Sequence, residues 1–502
     1  MTERGRVIAT RVAIAAGVAA IVAVGCWQRW RVLGATPFPV GIDGYFYPIE
    51  VRAILEHGVL RYPASPVTFY WMAPFAVATD PIIGAKLGAA IGCALIAVPA
   101  YGVGARLGGL GGSPGERSIG AGLLAAVIAG TSAGSGFLAI EFVKQGIGLT
   151  VALGALWILL AALERPSRGR VIGAVVAVVV AIATHKMAAA IVVLVAGPAL
   201  AIRVRGKYRG RRLLYAVIAV AVAVIGIVVL GAVAPQRFVS LHELGLLGEL
   251  FTGDLRWDAP ALVMEHSLVF DHEAAIGGIV AIGAAIVLVR GTDREVRASA
   301  WVIVGLGILI ALPTLAVSDP QGLGFRLRVA AFVPLALNAA IVAGALPGAR
   351  RELVVAICAA ALLAIEAPRD RTEGEVLTHP ALADAVVAAR HRVPAGATVI
   401  VPERHILFMV DWYTRADVSL RPEPVPYARR VRLFGLVFIG GAGSPLDQAL
   451  DEARAQPGIA PPIGLHAHYR NGLVLVTEPT WDWLLTQLPA PARAHFAAWP
   501  TI

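Results

Sequence analysis

The sequence predicts a mainly α-helical, polytopic membrane protein: a transmembrane bundle of about eleven spans over residues 1–367, followed by a small extracytoplasmic α/β domain over 368–502. Three observations predict it. Hydrophobic residues make up 58% of the 502 residues and charged residues 15%, whereas a soluble domain carries about a quarter charged; mean hydropathy is +0.74. Apolar runs recur at the roughly 17–25 residues that carry a helix across a bilayer. Basic residues gather in alternate short loops between those runs, which is how charge sets topology.

Taken in order, Arg4, Arg6 and Arg11 lead into the first apolar run, 12–30. Cys26-Trp27-Gln28-Arg29-Trp30 offers no small-x-small cleavage site, so the run reads as an uncleaved span with its N-terminus in the cytoplasm. Further spans are expected at 81–103, 119–135, 146–163, 171–184, 187–202, 213–233, 274–289, 298–317, 329–346 and 353–367. On this path the cytoplasmic loops hold Arg106 and Arg117, then Arg165, Arg168 and Arg170, then the cluster Arg203, Arg205, Lys207, Arg209, Arg211 and Arg212. Arg290, Arg294 and Arg297 follow, and then Arg350 and Arg351. The opposite loops carry fewer basic residues and more acids.

Residues 171–202 are apolar except around Thr184-His185-Lys186. As one long helix they would put the Arg203–Arg212 cluster outside. As a hairpin of two short helices they keep it inside, and the hairpin is the preferred reading. Its tip then falls short of the outer surface, where turning backbone must be buried in protein or line a wet cavity. The longer outer segments are 31–80 and 234–273. The tail alternates helix and strand: helical periodicity over 380–392 and 446–456, and β-branched or alternating runs at 398–401, 431–439 and 473–477. The expected location is the plasma (inner) membrane.

The formal charge of +10 does not point to nucleic acid, because the basic residues form no stripe with interleaved aromatics. The three cysteines, Cys26, Cys93 and Cys358, lie in or at the ends of apolar segments, with neither metal nor disulfide spacing.

Chemistry is concentrated in a few outer segments. The first reads Gly41-Ile42-Asp43-Gly44-Tyr45-Phe46-Tyr47-Pro48, then an amphipathic stretch with Glu50, Arg52, Glu56 and His57, then Tyr62-Pro63-Ala64-Ser65-Pro66 and Phe69-Tyr70-Trp71. An acid held beside glycine and tyrosines at the membrane level can accept a proton or coordinate a cation; its bland alternative is a solvated loop Asp. The Asp43–Arg52 segment resembles the oligosaccharyltransferase version of the first outer loop of GT-C class membrane glycosyltransferases. That class includes protein mannosyltransferases and aminoarabinose transferases. The span count, the outer catalytic loops and the outer C-terminal domain are also similar to it.

The resemblance implies transfer of a sugar from a polyprenyl-phosphate-linked donor to an extracytoplasmic acceptor, with Asp43 as the catalytic base. It implies a second acidic motif in the next outer loop, where Glu141 and Lys144 are the charged residues of 135–145. The paired acids usual there are missing. A divalent cation is therefore left open, with Asp43 and Glu141 as its carboxylates if one is bound; such a cation ordinarily takes several oxygen ligands. It also implies that a late outer loop, here Asp319-Pro320-Gln321-Gly322-Leu323-Gly324-Phe325-Arg326-Leu327-Arg328, holds the donor phosphate. Arg suits that role, because its planar fork pairs with phosphate oxygens and stays charged. Interface anchoring is the alternative for Arg326 and Arg328. His185 and Lys186, ionisable at membrane depth, are functional suspects for the same phosphate, or else residues reaching for headgroups.

Other segments read as ordinary structure. Glu265-His266, Asp271-His272-Glu273 and His466-Ala467-His468 are acid and imidazole clusters of the kind solvated loops carry. Gly440-Gly441-Ala442-Gly443-Ser444 lacks the Gly-Lys-Ser/Thr ending of a phosphate loop. Trp481-Asp482-Trp483 is not the Trp-Trp-Asp order with which oligosaccharyltransferases hold an acceptor sequon, which speaks against protein N-glycosylation. The competing classes are a lipid or glycan transporter, disfavoured by the lack of an inverted repeat, and a non-catalytic scaffold.

Overall fold

The structure is a computed structural model that describes residues 2–41, 43–111, 118–207, 229, 267–289, 294–312, 323–346, 380–391, 393, 398–401, 404–419, 463–467, 472–477, 486, 490 and 493–494. The expected spans at 213–233 and 353–367 lie outside these residues, as do the tail elements expected at 431–439 and 446–456.

The chain begins with a helix, α1 (Glu3–Leu33), followed by α2 (Phe46–His57) and α3 (Val67–Ala78) in the first long loop. Next come α4 (Pro81–Ala94), α5 (Ala97–Gly108), α6 (Ile119–Thr131), α7 (Ala133–Ile140), α8 (Val143–Glu164), α9 (Arg168–Thr184) and α10 (Lys186–Lys207). Later in the chain lie α11 (Ser267–Val289), α12 (Arg294–Ala311), α13 (Leu323–Val329) and α14 (Phe332–Gly344). The tail supplies α15 (Pro380–Arg390), β1 (Thr398–Ile400), α16 (Arg404–Thr414), β2 (Asp417–Ser419), β3 (Ile463–Ala467) and β4 (Gly472–Thr477).

Local chemistry sets the breaks. Asp80 caps α4 by accepting from the Ile82 and Ile83 amides at 2.8 and 2.9 Å, with Pro81 at the first helical position, where its missing N–H costs nothing. Ser132 ends α6 and caps α7 through the Ser135 amide, and the two helices bend by 42° across it. Gly58 ends α2 in the left-handed conformation, at φ 74°. His185 has extended backbone between α9 and α10. Both of those helices pack along α8, and His185 and Ala188 meet Gly148 near its start. The chain therefore turns back at His185, as the hairpin reading expects. Gly148 is five residues into α8, so the tip sits about 7 Å below the start of that helix at 1.5 Å per residue.

Among the described residues, four helical segments are long and apolar enough to cross a membrane: Glu3–Leu33, Pro81–Gly108, Val143–Glu164 and Gly324–Gly344. The bent pair α6–α7 makes a fifth. The apolar surface argues the same way. On α11, Ile276, Ile279, Ile282, Ile286 and Val289 are exposed by 52–72% at helical spacing, and α9 exposes Val171, Ile172, Val175, Val176 and Val179. Stripes of this size on a soluble protein would drive association; in a bilayer they face lipid tails. The chain is an integral membrane protein.

The bundle interior is built from small residues. An added Cβ at Gly344 would fall on the backbone of Gly108, so α14 and α5 cross in near backbone contact, the close approach by which membrane helices associate. Among the described residues, charged side chains in this interior are held by hydrogen bonds or ion pairs. Arg29 donates to the Gly25 and Gly130 carbonyls and to Ser135 Oγ. Arg106 bonds Glu164 at 2.9 Å. Glu273, from the acidic and imidazole stretch noted above, accepts from the Ala133 and Gly134 amides at 2.6 and 3.0 Å and so caps α7. It is a structural anion at a helix N-terminus.

In the tail, the four strands form one sheet in the order β2-β1-β4-β3. β1 runs parallel to β2 and β4, and β3 antiparallel to β4. His466 lies in β3.

Candidate functional site

The site is built where α1 ends and α8 begins. The linker after α1 is held by Lys86, whose Nζ donates to the Thr36 carbonyl at 2.6 Å. Gly41 follows at φ +90°, and an added Cβ there would lie 2.5 Å from the Ile140 carbonyl oxygen and 3.3 Å from the Glu141 carboxyl carbon. Only glycine fits both the backbone and the space. The turn that carries Asp43 is thus pressed onto the turn that carries Glu141. Gly44 N–H donates to the Gly41 carbonyl and Phe46 N–H to the Asp43 carbonyl, which closes the turn and starts α2. Asp43 is half-buried and Glu141 is buried.

Tyr47 lies within electrostatic reach of both acids. It is buried in α2, and its Oη accepts from the Lys144 amide at 3.4 Å. Burial pushes its phenol far above the usual range, and the charges of Asp43 and Glu141 push it in the same direction, so it stays protonated. Lys144, in the first turn of α8, lays its Nζ 4.7 Å from the Phe46 ring centroid, a cation–π contact. Its charge also reaches the Glu50 carboxyl.

Arg326 enters from α13. Its guanidinium carbon lies 4.8 Å from the ring of Phe142, the neighbour of Glu141. Phe325 packs edge-on to Phe137 and Phe142, and Gln145 Nε2 donates to the Arg326 carbonyl, so α13 is bound to α7 and α8. Arg328, two residues on, faces elsewhere: its Nη2 donates to the Leu312 carbonyl at 3.1 Å, at the end of α12, and the residue is buried. Both arginines lie within a helix that already belongs to the span Gly324–Gly344, whereas the sequence places the span's start at 329.

His185 meets Gly148, one helical turn below Lys144, and its Nδ1 accepts from the Ala188 amide at 3.2 Å. That bond fixes Nδ1 as the unprotonated nitrogen. Lys186 is the first residue of α10.

The structure therefore packs the Asp43 turn against Glu141, with the Lys144 amide bonded to Tyr47, Arg326 beside Phe142 and His185 one helical turn below Lys144. Arg328 serves the end of α12. Among the described residues no three His, Cys, Asp or Glu side chains come close enough to hold a metal ion. Asp43 and Glu141 alone would complete a cation's shell only with substrate phosphate oxygens.

A second network escapes sequence reading. Glu50, buried one turn beyond Phe46, accepts from the Arg61 and Tyr62 amides at 2.9 and 2.8 Å. Burial pushes its carboxyl up to about 7 despite those bonds. Asp411, fully buried on α16, accepts from Arg61 Nε at 2.8 Å and Tyr62 Oη at 2.5 Å. Burial raises its carboxyl too. Phe408 packs on Phe46 and Tyr62, and Tyr45 and Tyr413 share a hydroxyl contact at 3.1 Å. The tail is thereby docked on α2, next to the Asp43 turn. The available signal was an acid at helical spacing inside the apolar run Leu407-Phe408-Met409-Val410-Asp411-Trp412.

No known family profile matches the chain, and no curated protein does. Among solved structures, it is similar to the oligosaccharyltransferase of Archaeoglobus fulgidus in its apo form, at 12% identity and a TM-score of 0.49, over 80% of this chain and 64% of that one. The chain thus spans less than two thirds of that protein's length. It is also similar to ArnT from Cupriavidus metallidurans bound to undecaprenyl phosphate, at 16% identity and a TM-score of 0.37, over 97% and 96% of the two chains. At these scores the site's chemistry rests on its own residues.

Proposed function

We propose that the chain is a GT-C type membrane glycosyltransferase that moves a sugar from a polyprenyl-phosphate-linked donor to an extracytoplasmic acceptor. The observation that carries this reading is the packing of the Asp43 turn against the Glu141 turn, at one end of an apolar bundle, with Arg326 stacked on Phe142, the neighbour of Glu141. A carboxylate base and a fixed cation at one end of the bundle are what group transfer from a phosphate ester needs. The acceptor hydroxyl attacks the anomeric carbon, and Asp43 takes its proton. The bond from that carbon to the phosphate oxygen breaks, and the polyprenyl phosphate leaves with the electron pair. Arg326 stabilises the charge that grows on this leaving group. In this reading His185 and Lys186 add donors to the lipid phosphate, and Lys144 and Glu141 orient the acceptor. Arg328 supports from behind by holding α12. In the same reading the bundle completes about eleven spans and residues 368–502 form an extracytoplasmic α/β cover.

The test is mass spectrometry of lipid-linked sugars and surface glycans with and without the gene. Transfer predicts that deletion removes one surface sugar and leaves its lipid-linked donor to accumulate. A transporter predicts instead that substrate moves across vesicles with no bond made, and unchanged profiles in both pools would contradict transfer.

A further inference from the structure

The opposite face of α2 borders a separate cleft. Ile49, Arg52, Ala53 and Glu56 share one helix face, and with His57, Val59, Leu60, Arg61 and Arg415 they line a cleft of about 250 Å³, room for a small polar group rather than a whole glycan. Three arginines line this space, Arg52, Arg61 and Arg415, together with His57. Glu56 is the acid in the lining, 3.5 Å from Arg415, and Asp411 compensates Arg61 from behind. The arginines feel one another: burial depresses the Arg52 guanidinium, and the charges of Arg415 and Arg61 depress it further.

Two of the three are fixed in advance. Arg52 donates Nη1 to the Trp412 carbonyl at 3.2 Å and stacks 4.3 Å above the Trp412 ring. Arg61 donates Nε to Asp411 and Nη2 to the Ala416 carbonyl, both at 2.8 Å. The third stands where an arginine is out of place. Arg415 follows α16 at φ 54°, and its amide donates to the Asp411 carbonyl at 2.9 Å. This is the left-handed helix end that glycine ordinarily fills. An L side chain there strains the backbone, and among the described residues no other non-glycine has positive φ. Strain retained at a cleft mouth is a mark of function.

We infer that this cleft is a binding site for a phosphate group, gripped by Arg52, Arg61 and Arg415. Clustered guanidinium forks on buried anchors match the tetrahedral, multiply charged oxygens of phosphate. The phosphate belongs either to a soluble molecule or to a lipid headgroup. This inference is independent of the sugar-transfer reading, because binding is measured without turnover.

The experiment titrates inorganic phosphate into the full chain in phosphatidylcholine nanodiscs, by calorimetry, for the wild type and for Arg415→Gly. Glycine suits the backbone at 415, so the variant keeps its fold; Arg415→Asn, which also tolerates that conformation, is the second charge-free variant. The expected result is saturable binding to the wild type and about tenfold weaker binding to both variants. Repeating the titration in nanodiscs containing phosphatidic acid separates the sources. A headgroup ligand occupies the cleft and abolishes the phosphate heat, whereas a soluble ligand leaves the titration unchanged. Absence of phosphate binding to the wild type, or equal binding to the variants, overturns the inference.

Discussion

Asp43 and Gly41 divide the work of one turn: glycine lets it press onto Glu141, and the acid is what the turn presents. Gly41→Ala meets both a forbidden φ and the Ile140 carbonyl, so it is expected to cost more than about 1 kcal/mol and to displace Asp43. Its thermal midpoint in detergent should fall, and any transfer activity should fall with it. The two arginines of α13 should part company. Arg326→Ala is expected to leave expression and the thermal midpoint near wild type while weakening use of the lipid-linked donor. Arg328→Ala removes a buried guanidinium whose Nη2 donates to the Leu312 carbonyl and should lower the thermal midpoint, because a hydrogen bond from a charged donor contributes about 1.5–3 kcal/mol. Equal effects of the two variants on donor use would contradict this division.

At the scale of elements, the hairpin α9–α10 was legible because Thr184-His185-Lys186 interrupts an otherwise apolar run, and polar residues at membrane depth require a reason. The break between α6 and α7 was not, since Thr131-Ser132 is small and only mildly polar, and its bend comes from one serine capping two helices. Asp43 could be singled out from its glycine and aromatic neighbours, and Arg326 from its place ahead of a span. The docking of α16 on α2 could not, because it depends on Asp411 finding Arg61 and Tyr62 some 350 residues away in the chain, and no local pattern encodes such a pairing.

That dock also predicts a pH response. The Glu50 carboxyl is raised from 4.5 to about 7 in the folded chain, so the folded state binds the extra proton. Its contribution to stability is fully present below about pH 4.5 and is lost as pH rises through about 7; Asp411 shifts in the same direction. The thermal midpoint is expected to fall across that window, and Glu50→Gln should flatten the fall. A midpoint that rises between those limits, and does so in a Glu50-dependent way, would contradict the assignment.

For the whole molecule, composition carries most of the information. The apolar excess and the spacing of charges foretell a helical membrane bundle, and the lipid-facing isoleucines of α11 and valines of α9 are that excess seen in space. What composition cannot encode is which ends of the helices meet. The Asp43 turn, the Glu141 turn and the first turns of α8 and α13 converge because glycine and serine set the turns and aromatic rings fill between them. The account's central claim is that this convergence is a sugar-transfer centre. Its most direct test is mass spectrometry of a strain whose only copy carries Asp43→Asn, with protein level matched to wild type. The expected result is loss of one surface sugar with build-up of its polyprenyl-linked donor, as in the deletion, the loss of a general base slowing transfer by about a hundredfold or more. A well-expressed Asp43→Asn strain with a wild-type glycan profile would contradict it.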